Sequence, residues 1–125
     1  MSDQGRARVL VVDDEPFVRE MVRDFLAVLG LESVGAANAA EGLARIEDGQ
    51  YDLLITDYLM PGMNGLDLAA KVRAEHPEID VVLLTGSVLP DLVDRIRGTG
   101  FEVLNKPFRF DAFKELIERK VSATP

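Results

Sequence analysis

No cysteine occurs in the 125 residues, so neither a disulfide framework nor a thiolate metal site is open to this chain. Long apolar runs are missing too. Nothing approaches the length needed to span a bilayer, and the polar opening from Met1 to Arg8 lacks the apolar stretch of a signal peptide. Positive charge is in deficit: fourteen Lys and Arg stand against twenty-two Asp and Glu, a net charge of −8. That sign repels a nucleic-acid backbone and an anionic membrane surface alike. The expectation is a cytoplasmic protein with no direct nucleic-acid ligand and no membrane partner. Internal repeats and low-complexity segments are absent as well.

What is present is the balance of a folded domain. Hydrophobic residues make up 47% of the chain, and the charges are not gathered into long blocks. The length suits one domain, read as residues 7–121 between flexible termini 1–6 and 122–125. Short apolar runs recur as candidate strands: Val9 to Val12, Leu53 to Ile55, Val81 to Leu84 and the briefer Val103-Leu104. The first three are apolar at consecutive positions, as interior strands of a parallel sheet covered on both faces must be. Leu31 to Gly35 is a weaker candidate that suits an edge.

Helical periodicity fills the intervals. Phe17, Val18, Met21, Val22, Phe25, Leu26 and Leu29 repeat at the spacing of one helical face, with Pro16 entering and Gly30 closing. Asn38 with Glu41 three residues later predicts a capping box for a second helix carrying Leu43 and Ile46 and ended by Gly49. A third helix is expected from about Gly65 to Glu75. Leu89, Leu92, Val93 and Ile96 mark a short fourth, and Phe110, Phe113, Leu116, Ile117 and Val121 a last one. Right-handed crossovers between five parallel strands give an α/β fold: a flavodoxin-like, doubly wound sheet of order 2-1-3-4-5 with five helices in three α/β/α layers. The order itself rests on analogy with flavodoxin-like chains.

In such a sheet, ligands sit beyond the carboxyl ends of the strands. Four of those ends carry polar chemistry: Asp13-Asp14-Glu15, Asp57, Thr85, and Asn105-Lys106-Pro107. Taken singly, an Asp after a strand is more often a helix cap or turn residue, a Thr satisfies a backbone group, and a Lys is a solvated charge. The coincidence at four strand ends is what favours a site. Carboxylates gathered on one rim must neutralise or find a cation, and Mg2+ takes one or two carboxylates together with water and phosphate oxygens. Asp14 and Asp57 suit direct ligation, with Asp13 behind them.

The segments Val11-Val12-Asp13-Asp14-Glu15-Pro16, Leu54 to Gly65 through Asp57 and Pro61, Leu84-Thr85-Gly86 and Lys106-Pro107-Phe108 resemble response-regulator receiver domains of two-component systems. The resemblance covers nearly the whole chain. It implies a signalling switch in which Asp57 is the nucleophile that takes a phosphoryl group from a phosphohistidine. Asp14, Asp57 and the backbone carbonyl of Leu59 would bind Mg2+ directly and Asp13 through water. Thr85 would hydrogen-bond the phosphoryl oxygen and Lys106 would pair with it. The implied partners are a sensor histidine kinase or a histidine phosphotransfer protein and a downstream protein effector, with the chain a monomer or a phosphorylation-dependent dimer. Such a domain is a phosphoacceptor and catalyses only its own phosphoryl transfer and slow autodephosphorylation. A cis Lys106-Pro107 bond also belongs to the resemblance.

In-line phosphoryl transfer is mostly positioning and charge neutralisation, so it requires no catalytic histidine. His76, before Pro77, accordingly reads as a surface residue. One departure stands out: the aromatic that the family carries three residues before the lysine is Val103 here, with Phe101 nearer the strand's start. Leu59 and Ser87 occupy positions that influence phosphoryl hydrolysis in the family, and an apolar Leu59 cannot orient a water. Competing readings fare worse. A haloacid-dehalogenase-like phosphatase needs a second Asp where Leu59 stands, and the acidic loop after the first strand would repel a flavodoxin-type phosphate. A phosphorylation-independent interaction module usually loses an acid or the lysine, and neither is lost here.

Overall fold

The three interior strands form because their residues are mostly β-branched or leucine and have no polar face to spend on solvent. The computed structural model describes residues 7–86 and 90–122; the expected roles of Ser87 and Leu89, and the tails 1–6 and 123–125, lie outside them. The elements alternate as β1 (Arg8–Val12), α1 (Pro16–Val28), β2 (Glu32–Ala36), α2 (Ala39–Asp48), β3 (Leu53–Asp57), α3 (Gly65–Glu75), β4 (Asp80–Thr85), α4 (Pro90–Ile96), β5 (Glu102–Asn105) and α5 (Phe110–Ser122). All strand pairings are parallel and the sheet order is β2-β1-β3-β4-β5. The expected fold class and order are therefore observed. The tail begins later than expected, because α5 continues through Ser122.

Strand alternation divides the core in two. Leu10, Val12, Leu54, Val81 and Leu83 face the side packed by Ile46 of α2, Leu68 and Val72 of α3 and Leu92 of α4. Val9, Val11, Leu53, Ile55, Val82 and Leu84 face Val22 and Leu26 of α1 and Phe113 and Ile117 of α5. Interior strands β1, β3 and β4 are almost wholly buried, whereas β2 and β5 are not. This is why only the former read as continuous apolar runs.

Two aromatic arrangements bear on the rim. Phe25 of α1 packs edge-on against Phe108 and Phe110, with ring centroids 6.4 and 5.1 Å away, and Phe108 stacks on Phe113 at 5.7 Å. On the other face, the Arg73 guanidinium lies 4.7 Å over the Phe101 ring and donates to the Thr99 carbonyl at 2.6 Å. Phe101 is thus buried one residue before β5, while Val103, the residue in the family's aromatic position, is half-buried against the α2–α3 core.

Three helix expectations need correction. Phe17 is 82% exposed: it sits in the first turn of α1, above the end of β1, where no layer lies beneath it. Val93 is 44% exposed, because α4 buries one narrow stripe through Leu92 and its neighbour lies about 100° round the helix. The Asn38 side chain accepts from the Glu41 N–H as predicted, but Glu41 reaches past the cap to accept from Ala37 N–H at 2.8 Å. Gly49 does follow α2, though in extended backbone (φ −145°) and not as a left-handed cap.

Candidate functional site

Each rim residue is held by its strand. Asp13 follows β1 directly, and its N–H donates to the Ala36 carbonyl of β2 at 3.1 Å. Its carboxylate is fully buried; Oδ1 accepts from the Glu15 N–H at 2.9 Å, and Oδ2 has no hydrogen-bond partner. Arg19, one turn into α1, donates to the Asp13 carbonyl at 2.7 Å and pins the loop from behind. Asp14 is exposed. Asp57 ends β3 and is 6% exposed, Thr85 ends β4 and is 1% exposed, and Lys106 follows β5, where its N–H donates to the Thr85 carbonyl at 2.7 Å.

The loop after Asp57 is tied on both sides. Tyr58 N–H donates to the Leu84 carbonyl and Gly65 N–H donates to the Tyr58 carbonyl, both at 2.8 Å. Gly65 opens α3 so close beneath the strand end that a Cβ there would lie 2.1 Å from the Asp57 carbonyl oxygen. Leu59, two residues past Asp57, leaves its side chain 63% exposed.

Charge is concentrated at this point. Carboxylate oxygens of Asp13, Asp14 and Asp57 all lie within 4.8 Å of one another. The Lys106 ammonium stands 3.3 Å from Asp57 Oδ1, 3.5 Å from Asp13 Oδ2 and 3.5 Å from Glu15 Oε1. Burial, and then Asp13 beside it, pushes the Asp57 carboxyl above its ordinary value. Burial likewise raises Asp13, against the pull of the Glu15 N–H and Lys106. Burial disfavours the Lys106 ammonium, but Asp13 and Asp57 together outweigh it and hold its pKa above the usual lysine value. One ammonium therefore does not neutralise the site, and Asp13 Oδ2, with no hydrogen bond and only the 3.5 Å ion pair to Lys106, marks where further positive charge is wanted.

The five rim residues expected from the sequence, Asp13, Asp14, Asp57, Thr85 and Lys106, thus meet at the carboxyl ends of β1, β3, β4 and β5. His76 caps the C-terminus of α3 with Glu78 3.6 Å away. Sequence reasoning left two contributors without a role. Glu15, on the rim beside Asp13 and Asp14, is the N-cap of α1 but makes no side-chain capping bond, and its carboxylate faces Lys106. Arg19 was unmarked; its four-residue spacing from Glu15 was the available signal, since that spacing returns a side chain toward the loop.

The family model for the response regulator receiver domain matches residues 9–118. This chain is a response regulator receiver domain. The receiver is 36% identical over 118 residues to the DNA-binding transcriptional regulator NtrC of Escherichia coli, matching 94% of this chain and spanning 25% of that regulator's length. Its structure is similar to the chemotaxis protein CheY4 of Vibrio cholerae, with a TM-score of 0.84 and 30% identity over 91% of this chain and 98% of that one. It is also similar to the response regulator TrrA of Thermotoga maritima, crystallised in complex with Mg2+ and BeF, with a TM-score of 0.81, 35% identity and the same coverage. Receiver domains are signalling modules of two-component systems, and among the described residues no helix of this one is long and apolar enough to cross a membrane.

Proposed function

We propose that the chain is a phosphorylation switch whose acceptor is Asp57, served by Asp13, Asp14, Thr85 and Lys106. The observation that carries this reading is the buried Asp57 carboxylate, within 4.8 Å of two further carboxylates and 3.3 Å from the Lys106 ammonium. A carboxylate oxygen of Asp57 attacks the phosphorus of a phosphohistidine. The P–N bond breaks, its electron pair returns to the imidazole, and an aspartyl phosphate is left on Asp57. Lys106 balances the charge that arrives, and the Thr85 hydroxyl donates to a phosphoryl oxygen.

Three clustered carboxylates, one with a buried oxygen that accepts no hydrogen bond, fit a hard divalent cation. Asp14, Asp57 and the Leu59 carbonyl would hold Mg2+, with Asp13 acting through water. Bound there, Mg2+ supplies electrostatic stabilisation of the transferring phosphoryl group. That TrrA was crystallised in complex with Mg2+ and BeF supports, by similarity, Mg2+ as the ion.

Intact-protein mass after incubation with acetyl phosphate tests the proposal. One phosphoryl group should be gained with Mg2+ and none in chelator. Equal masses in both samples, together with no Mg2+-dependent rise in Tm, would refute it.

The phosphoryl donor is proposed to be a sensor histidine kinase or a histidine phosphotransfer protein, and the output a changed surface around α4, β5 and α5 that engages a downstream protein. With an exposed, apolar Leu59 no side chain at that position orients an attacking water. Leu59→Asn is therefore expected to shorten the phosphoryl lifetime about tenfold, less than the roughly 10²–10⁴-fold of a positioned acid–base group because an amide orients water without taking its proton. The decay of phosphorylated mass after donor removal measures this, and identical decay in both proteins would count against it.

A further inference from the structure

Lys106 faces three acids at once, at 3.3 Å from Asp57, 3.5 Å from Asp13 and 3.5 Å from Glu15. A committed ammonium–carboxylate hydrogen bond closes to about 2.7–2.9 Å, so the lysine is shared and not bonded to one partner. The Asp13 and Asp57 carboxylates are buried, whereas the Glu15 side chain is 61% exposed. Glu15 therefore approaches Lys106 from the solvent side. Nothing in the fold requires its carboxylate: it makes no capping bond at α1, and the N–H that ties it to Asp13 belongs to its backbone.

We propose that Glu15 is a positioning residue that restrains phosphoryl acceptance, its carboxylate sharing the Lys106 ammonium with Asp13 and Asp57 until an arriving phosphoryl group displaces it. The inference rests on the reading of Asp57 as the acceptor. With acetyl phosphate as donor, an Asp57 oxygen forms the new P–O bond, the bond from phosphorus to the acetyl oxygen breaks, and acetate departs with the electron pair. Lys106 exchanges the Glu15 carboxylate for a phosphoryl oxygen in the same event. Glu15 thus opposes transfer twice, by competing for the cation and by adding a negative charge on the donor's approach. Exposed ion pairs are weak, which limits the effect to about two- to fivefold.

The test is the rate of phosphoryl gain from acetyl phosphate, followed by intact mass at saturating Mg2+ and low ionic strength. The proteins are the unaltered chain, Glu15→Gln, Lys106→Gln and the double variant, each shown by its melting curve to be folded at the assay temperature. Glu15→Gln is expected to accelerate phosphorylation about two- to fivefold, with the gain shrinking as salt is added. In the Lys106→Gln background the gain should disappear, since the cation being contested is gone. An unchanged rate in Glu15→Gln overturns the inference. A gain that persists undiminished without Lys106 also overturns it, by assigning the effect to net charge alone. No phosphoryl gain by the unaltered chain would sink the acceptor assignment itself, and this inference with it.

Discussion

Asp57→Asn is expected to do two opposite things: abolish phosphoryl gain from acetyl phosphate, and raise stability in the absence of divalent cation. The first follows because an amide is no nucleophile toward phosphorus and the other carboxylates are not set where Asp57 is. The second follows from the buried charge. Burial and Asp13 hold the Asp57 carboxyl above 3.8 in the folded chain, so the folded state binds that proton more tightly than the unfolded chain does. The corresponding stability is present below pH 3.8 and is lost as pH rises through the higher folded value. At neutral pH the carboxylate is thus a net liability, and Asn removes it. With Lys106 losing a partner in return, the expected gain is on the order of 1 kcal/mol, or roughly 3 to 6 °C in Tm for a chain of this size. Thermal melts in chelator across pH, beside intact-mass spectra, check both halves. A variant that melts lower than the unaltered protein at neutral pH would show that the Asp57–Lys106 pair outweighs the repulsion.

Gly65→Ala is expected to be among the most damaging single substitutions. The added Cβ would meet the Asp57 carbonyl oxygen at 2.1 Å, its carbon at 2.9 Å and Tyr58 Cα at 3.0 Å. These are backbone atoms, and none can rotate away. Relief requires α3 to retreat from β3, which strains the bond from Gly65 N–H to the Tyr58 carbonyl. Overpacking of this kind costs about 3 kcal/mol, a Tm loss of roughly 10 °C or more. Because the displaced atoms belong to Asp57, the proposed acceptor, any folded fraction should also accept phosphate slowly, on the order of a hundredfold for a misplacement near 1 Å. Melting and phosphorylation rates within error of the unaltered protein would contradict the geometry.

Much of this was legible in the sequence, for physical reasons. Val9 to Val12, Leu53 to Ile55 and Val81 to Leu84 announce themselves because burial on both faces leaves no polar position. Once they are strands, the acids and the lysine that follow them must share a rim. The edge strand β2 was legible only as a weak candidate, since Glu32, Ser33 and Gly35 meet solvent and side chains more than core. Periodicity alone assigned Phe17 and Val93 to buried faces. It records angle around a helix and not whether a layer lies beneath that turn. The pairing of Glu15 with Lys106 and of Arg73 with Phe101 was out of reach, because long flexible side chains choose partners among elements distant in sequence.

The cluster of Phe25, Phe108, Phe110 and Phe113 joins α1 to the start of α5 and to the segment just past Lys106. Helix and lysine loop are therefore parts of one packed body, and displacing either carries the other with it. Reciprocity follows from thermodynamic linkage. A protein that grips α1 differently in the two phosphorylation states must alter the free energy of phosphorylation by the same factor that phosphorylation alters its grip. The surface of α1 and the Lys106 loop are, through four rings, a single coordinate.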